Sequence, residues 1–254
     1  MIRPRGIHES PPTAGRDNVK RAEDRRWPRL VGLGRLYGLL GELFEDGFFP
    51  EATRGWPRAW REAVRTSGAA GPLGRASPDL LDAFRDARVR HEDAAAERSR
   101  LLLLGECPAY ETAYAGPFAR QRELADIQGF YRAFGLDAVG ERGDHLSVEC
   151  EFTSLLCVKE ALARAGNLTD EADRIRDARK AFLRDHLGTW LSLYETDLSS
   201  RAELRLLPTA AAALRTLVRW DIGQLGFDLH EKERIARDDS EPAPACDPPA
   251  ANAA

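Results

Sequence analysis

Gly143-Asp144-His145-Leu146-Ser147-Val148-Glu149-Cys150-Glu151-Phe152 is the stretch on which the reading of this chain turns. A Gly-bearing loop, Gly135 to Gly143, passes there into a segment whose apolar residues have helical spacing: Val148, Phe152, Leu155, Leu156 and Leu162, as far as Gly166. The start of a helix collects unsatisfied backbone N–H groups at one point, and an acid and a histidine stand at that point. Two readings fit the pair. Asp144 serves as an N-cap with His145 packed in the first turn, or the two groups belong to a site for recognition or chemistry.

The helical period continues on both sides. Upstream, Leu33, Leu36, Tyr37, Leu40, Leu43 and Phe44 step by three and four, with Gly47 and Pro50 as stop signals. Trp56, Trp60 and Val64 share a face of a shorter helix that opens with Pro57, and Ser67 to Gly74 reads as a loop. Ser77-Pro78-Asp79 predicts a helix start, with Ser as N-cap and Pro in the first turn, for a helix running to Leu101–Leu104 and closed by Gly105. Glu106 to Tyr114 then forms a loop that ends at Gly116-Pro117, and Leu124, Ile127, Tyr131 and Phe134 mark a helix stopped by Gly135. Downstream, Asn167 and Thr169 open a helix carrying Ile175 and Phe182, with His186, Trp190 and Tyr194 on adjoining faces. The last helix covers Ala202 to about Leu225, and Pro208 near its beginning means that it starts late or kinks.

Strand alternation is missing from the pattern. The expected fold is all-α: one compact domain of roughly seven or more helices, in two helical halves joined by a hinge. The domain spans about 26–236, with the hinge about 135–145, between Pro-rich tails at 1–25 and 237–254.

The totals narrow the function. The 254 residues are 43% hydrophobic and 31% charged, enough for a core without disulfide staples. A net charge of −4, with 37 basic residues interleaved among acids, supplies no polyanion-binding field. Cys107, Cys150, Cys157 and Cys246 form no Cys-x-x-Cys pair, and Cys150 and Cys157 read as buried thiols in a reducing, cytoplasmic setting. Arg25-Arg26-Trp27 ahead of the Leu30–Phe44 run superficially resembles an export signal, but Arg35, Glu42 and the strong periodicity argue against that. No run approaches the roughly 18 uncharged apolar residues of a membrane span.

Chemistry is sparse. There is no Gly-x-Ser-x-Gly elbow and no phosphate-binding Gly-x-x-x-x-Gly-Lys loop. A metal-dependent hydrolase would have to use His145, Glu149 and His186, without Glu-x-x-His or His-x-x-x-His spacing. A helix-turn-helix regulator would have to place Trp56, Pro57 and Trp60 on its recognition helix. What remains is an acidic, aromatic-rich surface of Glu106, Tyr110, Glu111, Tyr114, Asp144, Glu149, Glu151 and Trp190, suited to a partner both cationic and apolar, such as an arginine-bearing leader peptide.

Four segments in series resemble the TorD/DmsD/NarJ family of chaperones for molybdenum-containing redox enzymes. They are Arg35-Leu36-Tyr37-Gly38-Leu39-Leu40-Gly41-Glu42-Leu43-Phe44; Glu106-Cys107-Pro108-Ala109-Tyr110-Glu111-Thr112-Ala113-Tyr114; Phe130-Tyr131-Arg132-Ala133-Phe134-Gly135-Leu136 with the Asp144–Phe152 block; and Phe182-Leu183-Arg184-Asp185-His186-Leu187-Gly188-Thr189-Trp190. The likeness runs over about residues 30–225. Gly143 stands where the family often has Pro, and Cys150 where it usually has Leu; the cysteine version is similar to chaperones of dimethyl-sulfide, ethylbenzene, selenate and chlorate enzymes.

The resemblance implies a non-enzymatic, cytoplasmic protein that binds the apo catalytic subunit of a molybdoenzyme, its twin-arginine leader, or both, until cofactor insertion and export. It implies a monomer or homodimer without nucleic-acid or membrane partners and without a cofactor of its own. The client's molybdopterin is handled indirectly, and guanine-nucleotide binding finds no support in a phosphate loop. The expected partner-binding residues are Asp144, His145, Glu149, Glu106, Tyr110, Glu111, Tyr114 and Trp190, with the pair Asp144-His145 at the hinge.

Overall fold

A computed structural model describes residues 27–45, 47–48, 54–137 and 142–232. The expected tails at 1–25 and 237–254, Arg25-Arg26, Pro50, Cys246 and the middle of the expected hinge, 138–141, lie outside the described residues.

The chain is all-α. Helix α1 (Trp27–Glu42) presents Leu33, Leu36, Tyr37, Leu39 and Leu40 to the interior, as its three-and-four spacing requires. It lies along α2 (Trp56–Ser67) and, more extensively, along α6 (Leu146–Ala165). Close approach to α6 depends on Gly41: a Cβ there would stand 2.9 Å from Cys150 Cβ. Trp56 and Trp60 of α2 point inward, stack at 5.5 Å and hydrogen-bond through their indoles to Leu39 O and Ser77 Oγ. They are core, so the face that a regulator would have turned towards DNA is closed.

Helix α3 (Ala70–Val89) starts seven residues before Ser77, contrary to the expected start and the expected loop at Ser67–Gly74. The cause is tertiary. Ser67 Oγ accepts from the Ala69 amide, fully buried Ala69 and Leu73 anchor the first turn, and Ser77 is held by Trp60 instead of capping. Pro78 is tolerated because it and Gly74, whose carbonyl loses its partner, lie on the exposed face, where water replaces the missing donor. The expected single helix to Leu104 is also divided. Arg90 interrupts it, α4 (His91–Arg98) follows, and a π-helical turn covers Ser99–Leu103.

A 3₁₀ turn (Glu111–Tyr114) lies between this turn and α5 (Arg120–Ala133). After α6, Asn167 in the left-handed region (φ 57°) turns the chain into α7 (Thr169–Asp185). Helices α8 (Leu187–Arg201) and α9 (Leu206–Leu225) complete the fold, with Pro208 inside the first turn of α9, so the last helix starts late and does not kink. One contiguous core takes residues from every helix but α4, whose Ala94 packs against it, each fully buried Leu contributing about 1.5–3 kcal/mol relative to exposure.

Between helices, ion pairs replace apolar contact at one deep point. Arg179 of α7, buried, forks between Asp221 of α9 and Glu160 of α6, and Asp221 also accepts from the Tyr37 hydroxyl of α1 at 3.1 Å. Cys107, Cys150 and Cys157 are buried, and Cys150 and Cys157 are free thiols. Burial, with Glu149 and Glu151 nearby, holds the Cys150 thiol well above its usual range.

Candidate functional site

The loop 104–119 does not run free over the surface. Main-chain bonds fasten it to the start of α6: Glu111 N to Asp144 O (2.9 Å) and Leu146 N to Ala109 O (2.8 Å), with an antiparallel bridge between Tyr110 and His145. These bonds place the Tyr-Glu-x-x-Tyr loop and the Asp-His pair side by side.

Within that clasp the roles differ from the expected cap. His145, not Asp144, is the N-cap of α6; its Nδ1 accepts from the Ser147 amide (3.3 Å) and meets Ser147 Oγ at 2.7 Å. Asp144, fully buried, is the anchor of the 3₁₀ turn. Its carboxylate accepts from Thr112 Oγ1 (2.5 Å), Thr112 N (3.3 Å) and the Arg142 guanidinium (2.9 and 3.1 Å). Arg142 lies over the Tyr110 ring at 4.7 Å, and Tyr110 meets the His145 ring edge-on at 5.0 Å.

A second layer lies behind this one. Glu111, fully buried, uses both carboxylate oxygens: Oε2 is 3.1 Å from His186 Nδ1, and Oε1 accepts from Lys232 Nζ at 2.7 Å. Lys232 also donates to Glu123 Oε2 of α5 at 3.0 Å. Glu149, likewise fully buried, accepts from Trp190 Nε1 at 3.2 Å through Oε2, while its Oε1 has no hydrogen-bond partner. Burial, followed by the nearby Glu111 charge, raises the Glu149 carboxyl well above the usual range and favours the protonated acid. Trp190 stacks on Tyr114 at 5.4 Å, and Tyr131 Oη donates to Gly143 O at 2.6 Å.

Seven of the eight expected site residues are therefore brought together: Asp144, His145, Glu149, Tyr110, Glu111, Tyr114 and Trp190. They do not form the open acidic surface anticipated. Asp144, His145, Glu149, Glu111 and Trp190 are buried, Tyr110 and Tyr114 are half-buried, and charge is neutralised internally. Glu106 is exposed and instead pairs with Arg100 of the π turn at 2.5 Å. Arg142, Thr112, Glu123 and Lys232 complete the network without having stood out in the sequence. The one available signal was that Lys232 is among only four lysines, with Lys20, Lys159 and Lys180.

The hydrolase alternative gains nothing. His145 turns to Ser147 while His186 turns to Glu111, and among the described residues no three His, Cys, Asp or Glu side chains are grouped so as to hold a metal ion. No helix among the described residues is long and apolar enough to cross a membrane.

The fold and the site define an all-helical domain whose polar loop is clasped to a helix start. Residues 67–194 match the family model described as nitrate reductase delta subunit, and the chain belongs to that family, the NarJ/TorD-type chaperones of molybdoenzyme maturation. The match contains the clasped loop, α5, α6, α7 and Trp190, while α1 and Lys232 lie outside it. The family is a chaperone family, not a catalytic one. No curated protein and no solved structure matches the chain.

Proposed function

We propose that this protein is a cytoplasmic, non-enzymatic chaperone that binds the apo catalytic subunit of a molybdenum oxidoreductase, together with its twin-arginine leader, and holds it for cofactor insertion and assembly before export. The observation that carries the reading is the family match across the Tyr-Glu-x-x-Tyr loop and the Asp144-His145 block, the same segments that the fold fastens together. The clasp supplies suitable chemistry. Acids pair with arginine, and Tyr110 already stacks under a guanidinium, that of Arg142, in the free protein. The chaperone acts by binding and release, so the molybdopterin belongs to the client and no step of its chemistry falls to this chain. The buried free thiols of Cys150 and Cys157 support a reducing compartment.

Isothermal titration with a synthetic twin-arginine leader peptide tests this. Wild type should bind, and Tyr110→Ala should bind about tenfold more weakly, the equivalent of ~1.4 kcal/mol. Tyr110 is half-buried, so circular dichroism can verify that the variant keeps its helices. An unchanged affinity in the folded variant would remove the clasp from the binding site.

A further inference from the structure

The segment that follows α9 is built unlike the rest of the molecule. Residues 227–232 have no regular secondary structure, and none of the six is buried. Their side chains nevertheless cross the start of α8. Leu229 packs on Gly188, where a Cβ would stand 2.9 Å from Leu229 Cδ1, and Lys180 Nζ lies 5.5 Å from the Phe227 ring. Among the described residues one main-chain hydrogen bond ties 227–232 to the body, Lys232 N to Thr189 O at 2.7 Å.

Under this thin cover lies Glu111, a carboxylate with no exposed surface. A buried carboxylate without a cation costs several kcal/mol, so a cation at Glu111 stabilises the fold. Lys232 Nζ provides that partner and bridges to Glu123. The Lys232 side chain is 22% exposed, so the cation is reached from solvent while the acid is not. Beside the seat, His186 occupies the other Glu111 oxygen; its buried Nε2 has no hydrogen-bond partner, the nearest acid being Asp126 Oδ2 at 3.4 Å.

We infer that 227–232 is a removable strap, with Lys232 holding a cation seat on Glu111 and Glu123 that an arginine or lysine side chain of the bound partner takes over when the strap lifts. A guanidinium suits the seat better than an ammonium, because two carboxylates presented by different elements match its planar fork. In the exchange one cation replaces another and Glu111 is never left alone, while the strap gives up one main-chain bond, the Glu231 pairs with Arg215 and Arg219 of α9, and its partly buried side chains. Partner binding is thus coupled to release of the strap, and the strap's own affinity lowers the apparent affinity of the partner. That the partner is a cationic peptide rests on the chaperone reading above; the seat and the strap rest on the geometry.

The full-length protein decides the matter by calorimetry with the twin-arginine peptide and amide exchange at Lys232. Lys232→Gln, once circular dichroism has shown that it keeps its helices, should bind about tenfold more tightly than wild type, because the internal competitor is gone, and in wild type the peptide should speed exchange of the Lys232 amide. Equal affinity in the two proteins with that amide still protected would overturn the strap and leave the leader reading standing. If neither protein binds the peptide, the leader reading falls, and methylguanidinium chloride tests the seat in wild type alone. Exchange at Lys232 faster than in equimolar tetramethylammonium chloride supports the seat; identical exchange refutes it.

Discussion

Replacing Glu149 by glutamine should stabilise this protein increasingly as pH rises. In the wild type Glu149 is fully buried, with Trp190 Nε1 on one oxygen and no hydrogen-bond donor on the other. Burial and the Glu111 and Asp144 charges push its pKa up, outweighing the opposing Trp190 bond and the Lys232 charge. A carboxyl with a raised folded-state pKa binds its proton more tightly in the native chain than in the unfolded one. Its contribution is therefore complete below the ordinary carboxylate range and is lost as pH climbs towards the folded-state value, at up to ~1.4 kcal/mol per pH unit. Glutamine keeps the shape and the acceptor for Trp190 but has no proton to lose. The stability difference between Glu149→Gln and wild type should widen by about that slope above pH 5. Urea unfolding of both proteins at successive pH values between 5 and 8 measures it, and titrating groups remote from Glu149 cancel in the difference. Parallel stability curves would refute the reasoning. Glu149→Ala serves as the contrast: it leaves the buried Trp190 N–H unpaired and should lose about 1–3 kcal/mol for that donor.

Two further predictions concern the frame around the site. Gly41→Ala forces a Cβ to 2.9 Å from Cys150 Cβ, and the overpacking cost of about 1–3 kcal/mol should exceed the ~1 kcal/mol gain in helix propensity, lowering Tm by a few degrees. Gly38→Ala, whose nearest neighbour is Ser154 Oγ at 3.7 Å, should be neutral or stabilising in the same scan. Arg179→Ala strands Asp221 and Glu160 in the interior and should cost about 3–5 kcal/mol in urea unfolding, whereas Tyr37→Phe removes one hydroxyl from Asp221 and should cost about 1 kcal/mol. Losses of about 1 kcal/mol in both of the last two variants would show that the ion pair, and not the hydroxyl, had been misjudged.

Much of the architecture was legible because it is local. The apolar stripes of α1 and α6, the Trp56-Pro57 start of α2 and the late start imposed by Pro208 are all set within a few turns of chain. Errors came where a local signal met a distant partner. Ser77-Pro78-Asp79 has the composition of a helix start, yet Trp60 claims the Ser77 hydroxyl and buried Leu73 carries the helix back to Ala70. Asp144 and His145 both have side chains able to cap. The bridge to Tyr110 sets the geometry, so the histidine caps α6 while the aspartate binds Thr112 and Arg142.

The amino-acid order thus determined an all-helical chain, the family, and seven residues that meet at one place, because helical period and motif spacing are properties of neighbours along the chain. Whether those residues face solvent was decided only by tertiary structure. Lys232 follows Glu111 by 121 positions, and no periodicity links two charges that far apart. Burying Glu111 required a cation from elsewhere, and the fold supplied it by laying the segment after α9 across the loop. The Asp144-His145 pair, read at first as a choice between cap and site, is a clasp that holds the loop while Glu111 waits beneath the strap.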